Sequence, residues 1–178
     1  MRKLRIFYYI IGFFLLLSSF FSFSDNLKIH GSLINTPCKV LPEDTQFEVD
    51  FGEIQLSDIY NNNTQIERKS FKINLSECDP SIAQQVKVKF DGKPHAKLLG
   101  LLALDDSANN PELGIEITTK EGNSITLGEF SKLYNITHTG DIELNFGANL
   151  KSTSKGISDK TINPGYFTAK AIFSLKYE

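Results

Sequence analysis

The chain has 178 residues, which fits one globular domain and a short leader but leaves no room for a second domain. Hydrophobic residues make up 40% and charged residues 22%, a composition that predicts a packed core and excludes a disordered or collagen-like chain. The net charge is −2, and it becomes −5 without residues 1–24, because 16 basic residues then remain against 21 acidic ones. Beyond residue 24 no more than two basic residues are adjacent, so we do not expect nucleic-acid binding.

Residues 1–24 have the pattern of a secretory signal peptide. Three basic residues precede an apolar run from Ile6 to Leu17, and the small residues Ser22 and Ser24 suit a cleavage site. We expect cleavage after Ser24, with Ser22 as the other candidate. The alternative is an uncleaved membrane anchor, because the apolar stretch approaches the length that spans a bilayer. The signal-peptide pattern predicts export of a mature protein that begins near Asp25.

The segment Asp25–Pro37 is predicted to be extended. Four of its alternate residues share one face of a strand, namely Leu27, Ile29, Gly31 and Leu33. Such a segment is either the first strand of its own domain or an arm that adds a strand to another copy.

Two cysteines, Cys38 and Cys78, follow in the mature sequence. An oxidising compartment makes a disulfide the expected state of a lone cysteine pair in an exported chain. The alternatives are a thiol nucleophile and a metal site, but the three histidines are scattered without the spacing of ligands or of a catalytic base. We therefore predict a structural disulfide and neither a metal nor a cofactor.

Period-two alternation of apolar and polar residues recurs through the rest of the chain, and no long stretch has a helical period. Turn signals of Gly, Asn, Asp and Pro separate the alternating runs, which predicts an all-β sandwich. The segment Lys97–Leu104 is apolar without alternation, so it fits either a buried strand or a helical turn. The predicted strands contain the runs Phe71–Leu75, Val86–Phe90, Ile115–Ile117 and Ile142–Leu150.

The last predicted strand has the clearest alternation. Its apolar face consists of Phe167, Ala169, Ala171, Phe173, Leu175 and Tyr177, and only Tyr166 and Ile172 interrupt the polar face. A strand this apolar on one face is expected to be central or covered. Either earlier strands flank it, or an immunoglobulin-like sandwich stops one strand short and leaves its edge open.

At this point the chain resembles the pilin subunits of bacterial chaperone-usher fimbriae, of the type 1 and P pilus kind. The resemblance covers the whole mature chain and includes a glycine fourteenth from the end and a penultimate tyrosine. In order, its parts are Ile29–Leu33, Pro37-Cys38, Val49–Ile54, Phe71–Leu75 leading to Cys78, Leu113–Ile117 and Gly165–Tyr177.

The resemblance implies an immunoglobulin-like sandwich that lacks its seventh strand, with residues 38–178 as the pilin domain and residues 25–37 as a donor-strand arm. It implies that Leu27, Ile29 and Leu33 fill pockets of a neighbouring subunit and that Gly31 lies where a side chain would crowd the groove. The acceptor edge implied for this chain consists of Gly165, Phe167, Ala169, Ala171, Phe173, Leu175 and Tyr177. The implied partners are neighbouring pilin subunits, a periplasmic chaperone and an outer-membrane usher, on the way to a cell-surface fimbrium that supports adhesion.

Two other functions compete with that of a structural subunit. The alternative is a secreted carbohydrate-binding adhesin. Adhesins of this family carry a separate lectin domain, and this chain has no Trp that could stack on a sugar ring. Tyr60 and Tyr134 are the candidate stacking residues in its place. An enzyme is not expected, because the carboxylate pair Asp105-Asp106 has no accompanying histidine or serine motif. Any host receptor would be bound only indirectly. The position in the fibre, whether rod, adaptor or terminator, stays open.

Overall fold

The structure, a computed structural model, describes residues 30–31, 33, 35–42, 45–61, 68–106 and 109–178. The chain divides into two units, Met1–Ile34 and Asn35–Glu178, and the fold is that of the second unit. The predicted signal peptide and the predicted arm residues Leu27 and Ile29 lie outside the described residues.

The second unit is mostly β structure arranged in two sheets. The larger sheet has the order β1 (Lys39–Val40), β2 (Lys69–Cys78), β8 (Gly140–Ser152), β5 (Leu113–Thr119) and β4 (Leu102–Ala103), with β6 (Ser124–Ile125) also paired to β5. The smaller sheet has the order β7 (Tyr134–Asn135), β3 (Gln85–Gly92) and β9 (Ala171–Tyr177). The short helices are α1 (Leu56–Tyr60) and α2 (Ser154–Ser158). All pairings between the described strands are antiparallel.

The alternating runs form strands where the sequence predicts them. In β2, Ile73 and Leu75 are fully buried while Lys72 points to solvent, where its Nζ lies 2.5 Å from Oε1 of Glu143 on β8. In β3, Val86 and Val88 are fully buried. These strands contribute to one apolar cluster between the two sheets, so the sheets pack face to face.

The long strand β8 connects that cluster to a second one. Leu144 and Phe146 belong to the first cluster, whereas Ala148 and Leu150 belong to the second, together with residues of α1, β4 and β5. Phe71 packs against both clusters and is only partly buried. The core is therefore continuous along β8, and Phe71 marks a place where it reaches the surface.

Two local predictions need correction. The last strand begins at Ala171 rather than at Phe167, although Phe167 and Ala169 still pack against the second cluster. Of the two alternatives for this strand, the described residues show the open edge, because β9 is an edge strand with a half-buried inner face. The segment Lys97–Leu104 is neither a full strand nor a helix: a turn closed by the hydrogen bond from Leu101 N–H to the carbonyl of Leu98 leads into the short strand β4.

The predicted disulfide between Cys38 and Cys78 is present. Cys38 immediately precedes β1 and Cys78 ends β2, and the pairing of these two strands brings the sulfurs together. Asp79 N–H also donates a hydrogen bond to the carbonyl of Pro37 at 2.7 Å. The disulfide therefore attaches the beginning of the domain to a long strand of its larger sheet.

We expect the disulfide to stabilise the fold by about 4 kcal/mol, because it closes a loop with a sequence separation of 40 residues in the unfolded chain. Urea unfolding of the oxidised protein and of a Cys38→Ser/Cys78→Ser variant measures the difference. Free-thiol titration of unfolded, unreduced protein should find no reactive thiol. Two thiols per chain would contradict the pairing.

Candidate acceptor groove

Strand β9 has one paired edge and one open edge. It pairs with β3 over its whole length, in a register that runs from Val86 opposite Tyr177 to Gly92 opposite Ala171. Along its other edge, no strand pairs with β9 among the residues that the structure describes. A row of main-chain donors and acceptors is thus left along this edge.

The register between β9 and β3 shows which main-chain groups of β9 are unpaired at the open edge. Gln85 and Glu178 exchange two hydrogen bonds, of 3.0 and 2.9 Å. In an antiparallel pair the bonded and non-bonded positions alternate, so the N–H groups of residues 172, 174 and 176 point towards β3. Those of Phe173, Leu175 and Tyr177 point away from β3, and they have no hydrogen-bond partner within the described ranges. An added strand would find three N–H groups ready to pair.

The inner face of the C-terminal segment is apolar but incompletely buried. Phe167, Ala169, Phe173, Leu175 and Tyr177 are all partly buried, and they pack against the two clusters. Burial raises the pKa of the Tyr177 hydroxyl above its ordinary value. These half-exposed side chains on one face of the segment form an apolar strip, interrupted at Ala171, of the kind that marks a binding surface.

The segment from Gln46 to Phe51 lies beside this strip and forms its second wall. The ring centroid of Phe47 is 6.4 Å from that of Phe173, and the ring of Phe51 is 5.8 Å from that of Phe167. No backbone–backbone hydrogen bond involves residues 46–51 in the described part of the chain. This wall is therefore held by its side chains and also has unpaired main-chain groups.

Phe71 forms the floor between the two walls. The centroid of its ring lies 5.5 Å from the ring centroid of Phe47, 6.1 Å from that of Phe90 and 5.6 Å from that of Phe146. Phe90 and Phe146 are almost fully buried, whereas Phe47 is 39% exposed. We call the surface formed by Phe47, Phe71, Phe167, Ala169, Phe173, Leu175 and Tyr177 the acceptor groove.

The ends of the C-terminal segment are fixed by polar contacts. Near its start, Thr168 Oγ1 donates to Asp105 Oδ2 at 2.9 Å, and Asp105 N–H donates to the carbonyl of Thr168 at 2.8 Å. At its end, Glu178 accepts from Lys87 and Lys176, at 2.9 and 3.2 Å, and these hydrogen bonds lower the pKa of its carboxyl group. The open edge is therefore held in place at both ends.

Among the predicted acceptor residues, Gly165 and Ala171 lie apart from the apolar strip. Gly165 has a φ of 150°, a conformation that favours glycine, and it precedes the fully exposed Tyr166. Ala171 is exposed and lies opposite Gly92. Of the predicted donor residues in the described ranges, Gly31 and Leu33 are exposed.

Phe47, Phe51 and Phe71 lie at the groove although they are not among the acceptor residues predicted from the sequence. A signal was present, because Phe47, Val49 and Phe51 alternate with Glu48 and Asp50. Only the tertiary structure brings the run Phe47–Phe51 next to the last strand.

The candidate residues for other functions have structural roles. Buried His95 accepts hydrogen bonds at Nδ1 from Lys97 N–H and Leu98 N–H, and burial lowers its pKa. Tyr60 and Tyr134 are both partly buried: Tyr60 donates to the carbonyl of Ile162, and the ring centroid of Tyr134 lies 5.7 Å from that of Phe146. Within the described ranges, no group of His, Cys, Asp and Glu residues could hold a metal ion. The same ranges contain no helix with the length and apolar character needed to span a membrane.

Comparison with known proteins identifies the class. The model of the fimbrial protein family matches residues 27–178. The Fimbria A protein of Serratia marcescens is 33% identical over 148 residues, which cover 83% of this chain and 81% of that protein. The major MR/P fimbria protein of Proteus mirabilis strain HI4320 is 31% identical over 153 residues, which cover 85% and 83%. The crystal structure of the P pilus rod subunit PapA has the same fold, with a TM-score of 0.68 at 20% identity over 80% of this chain and all of that one.

The chain belongs to the fimbrial protein family, which confirms its resemblance to the subunits of chaperone-usher fimbriae. It is a structural subunit of cell-surface fimbriae, where it polymerises with neighbouring subunits, and it is not an enzyme. These conclusions confirm the predictions of class, location and non-enzymatic role.

The alternation along β9 leads to a hydrogen-exchange prediction. In the isolated subunit, the amides of Phe173, Leu175 and Tyr177 should exchange on the order of 100-fold faster than those of residues 172, 174 and 176, because only the latter bond to β3. Residue-resolved exchange by NMR measures both sets in one sample, so each set controls the other. Equal protection of the two sets would show that the edge of β9 is covered.

Proposed function

We propose that the subunit polymerises by donor-strand exchange, in which the arm Asp25–Pro37 of one copy adds a strand to the open edge of β9 in the next copy. The observation that carries this proposal is the combination, on one strand, of unpaired main-chain groups and a half-exposed apolar face. The domain of residues 38–178 is then an immunoglobulin-like sandwich that lacks its seventh strand. Residues 1–24 are the signal peptide that directs the chain out of the cytosol.

The chemistry of the arm suits this role. Leu27, Ile29 and Leu33 place aliphatic side chains on one face, at the spacing of alternate groove residues on β9. Burying three such side chains contributes about 5–9 kcal/mol. The main chain of the arm supplies the hydrogen bonds that the open edge of β9 lacks. One added strand therefore both pairs the main-chain groups of β9 and buries the apolar strip.

Gly31 lies on the same face of the arm as these aliphatic residues. An extended strand with Gly31 in the groove brings its main chain close to the groove surface at that point. The aromatic pairs Phe47–Phe173 and Phe51–Phe167 narrow the groove from both walls. A residue without a side chain fits such a constriction.

Two transient partners follow from the open groove. An exposed apolar edge strand pairs with other chains, which makes an exported subunit prone to aggregation before it assembles. We therefore propose that a periplasmic chaperone covers the groove and that an outer-membrane usher is the place where the arm of the next subunit replaces it. A completed fold dissociates slowly, which suits a fibre that must persist outside the cell.

Completing the groove within one chain tests the acceptor side. A copy of Asp25–Pro37 fused after Glu178 through a flexible linker should give a monomer that is more stable than the unmodified subunit by about 5 kcal/mol, because the added strand buries its aliphatic residues. Size-exclusion chromatography and urea unfolding measure both effects. A fusion with the same residues in scrambled order is the control, and equal stability of the two fusions would contradict the proposal of a missing strand.

Substitutions in the arm test the donor side. Gly31→Val should prevent assembly into SDS-resistant oligomers, because the groove cannot accept the added methyl groups without repacking. Ser32→Val introduces the same side chain on the opposite face and should assemble normally. Ile29→Asp should also block donation, since it buries a charge in an apolar pocket.

Electrophoresis of unheated and heated samples gives the readout for these variants. Each variant should still accept the arm of a wild-type copy, because its own groove is unchanged. Assembly of Gly31→Val and Ile29→Asp at the wild-type rate would rule out Asp25–Leu33 as the donor strand.

A further inference from the structure

One wall of the acceptor groove is acidic on its outer side. Between Val40 and Arg68 the sequence has seven acidic residues and neither Lys nor Arg. Within the wall itself, Phe47, Val49 and Phe51 pack inwards while Glu48 and Asp50 are exposed. The alternation thus divides this wall into an apolar inner face and a negatively charged outer face.

The two carboxylates on this outer face are available to a partner. Neither Glu48 nor Asp50 forms an ion pair with another described residue. Asp50 Oδ1 accepts a hydrogen bond from Gly52 N–H at 2.8 Å, which leaves its second oxygen open to solvent. Two neighbouring carboxylates without a cation beside them attract a positively charged strand.

The arm has the complementary pattern. Leu27, Ile29 and Gly31 alternate with Lys28 and His30, and no acidic residue lies between Asp25 and Pro37. Any register that turns the odd-numbered residues into the groove turns Lys28 and His30 outwards, to the same side as the exposed carboxylates. Lys28 then supplies a positive charge and His30 an N–H donor.

The other wall differs in charge. On the outer face of the C-terminal segment lie Lys170 and Lys176, and Lys176 Nζ is already 3.2 Å from Glu178. The lysines repel the positive charge of Lys28 from this wall, whereas the exposed carboxylates attract it to the acidic one. The charges on the two walls favour a bound strand whose groove-facing side chains are apolar and whose solvent-facing side chains are basic.

Given the donor arm proposed above, we infer that Lys28 and His30 of one copy pair with Glu48 and Asp50 beside the groove of a second copy. Charge then makes the arm of an identical subunit the preferred occupant of the groove. Exposed pairs of this kind act mainly on the rate of association and on the choice of partner, whereas the apolar contacts supply the lasting affinity. The acidic wall is thus a specificity determinant for self-polymerisation.

Capture of a labelled arm peptide tests this pairing. The mature subunit is diluted from guanidine into buffer at pH 7 with an excess of fluorescent Asp25–Pro37 peptide, and incorporation is followed as an SDS-resistant band. In Glu48→Lys/Asp50→Lys, capture at low ionic strength should be about tenfold slower than in wild type, because attraction becomes repulsion. The difference should shrink at about 0.5 M salt, where screening is strong.

Matched controls separate this effect from a change in net charge or folding. Glu129→Lys/Asp141→Lys makes the same charge change at exposed residues that form no part of the groove and should capture the peptide at the wild-type rate. A Lys28→Glu peptide should be captured faster by Glu48→Lys/Asp50→Lys than by wild type. This reversal is not expected from a variant that merely folds poorly.

The outcomes distinguish the pairing from the proposed function. If Glu48→Lys/Asp50→Lys captures both peptides as wild type does, the charge pairing is wrong while donor-strand exchange stands. The pairing is also wrong if the Glu129→Lys/Asp141→Lys control slows capture equally. If wild type captures no peptide at all, donor-strand exchange by this arm is contradicted, and the pairing with it.

Discussion

The structure depends on one constraint, the hydrogen-bonding requirement of an edge strand that also carries an apolar face. The N–H groups of Phe173, Leu175 and Tyr177 point to the open edge of β9, while their side chains are only half buried. A strand with both properties is stabilised only when another strand covers it. Because the described part of the chain holds no such strand, the subunit is suited to a polymer in which each copy is completed by another.

The remainder of the domain keeps that edge in a defined shape. The pairing of β2 with β8, the disulfide at the end of β2 and the buried pair Phe90–Phe146 build a firm core behind the groove. Phe71 packs against both clusters of this core, so the floor of the groove is attached to the core although it is partly exposed. A preformed surface of this kind lowers the ordering penalty of binding to that of the incoming strand alone.

The two walls of the groove are chemically different, and this difference bears on the choice of partner. The wall at residues 46–51 is held by aromatic contacts and carries exposed carboxylates. The wall at the C-terminal segment is held by the ladder between β9 and β3 and carries Lys170 and Lys176 on its outer side. An apolar floor accepts many aliphatic strands. Charge along the rims is the feature that discriminates between them.

Much of the fold follows from the sequence because period-two alternation is a local property. The runs in β2, β3, β5 and β8 form strands as predicted, and the cysteine pair is joined because an exported chain with two cysteines has one natural pairing. The apolar face of the last strand is also evident from the sequence, since Phe167 to Tyr177 alternate without interruption on that face. Only the tertiary structure decides that β9 lies at an edge, that Phe47 and Phe51 line the second wall, and that Phe71 joins two clusters. These features depend on which strands pair and on which segments pass beside them. The contacts Phe47–Phe173 and Phe51–Phe167 join residues more than a hundred positions apart, and an alternating pattern within a few residues gives no information about such contacts.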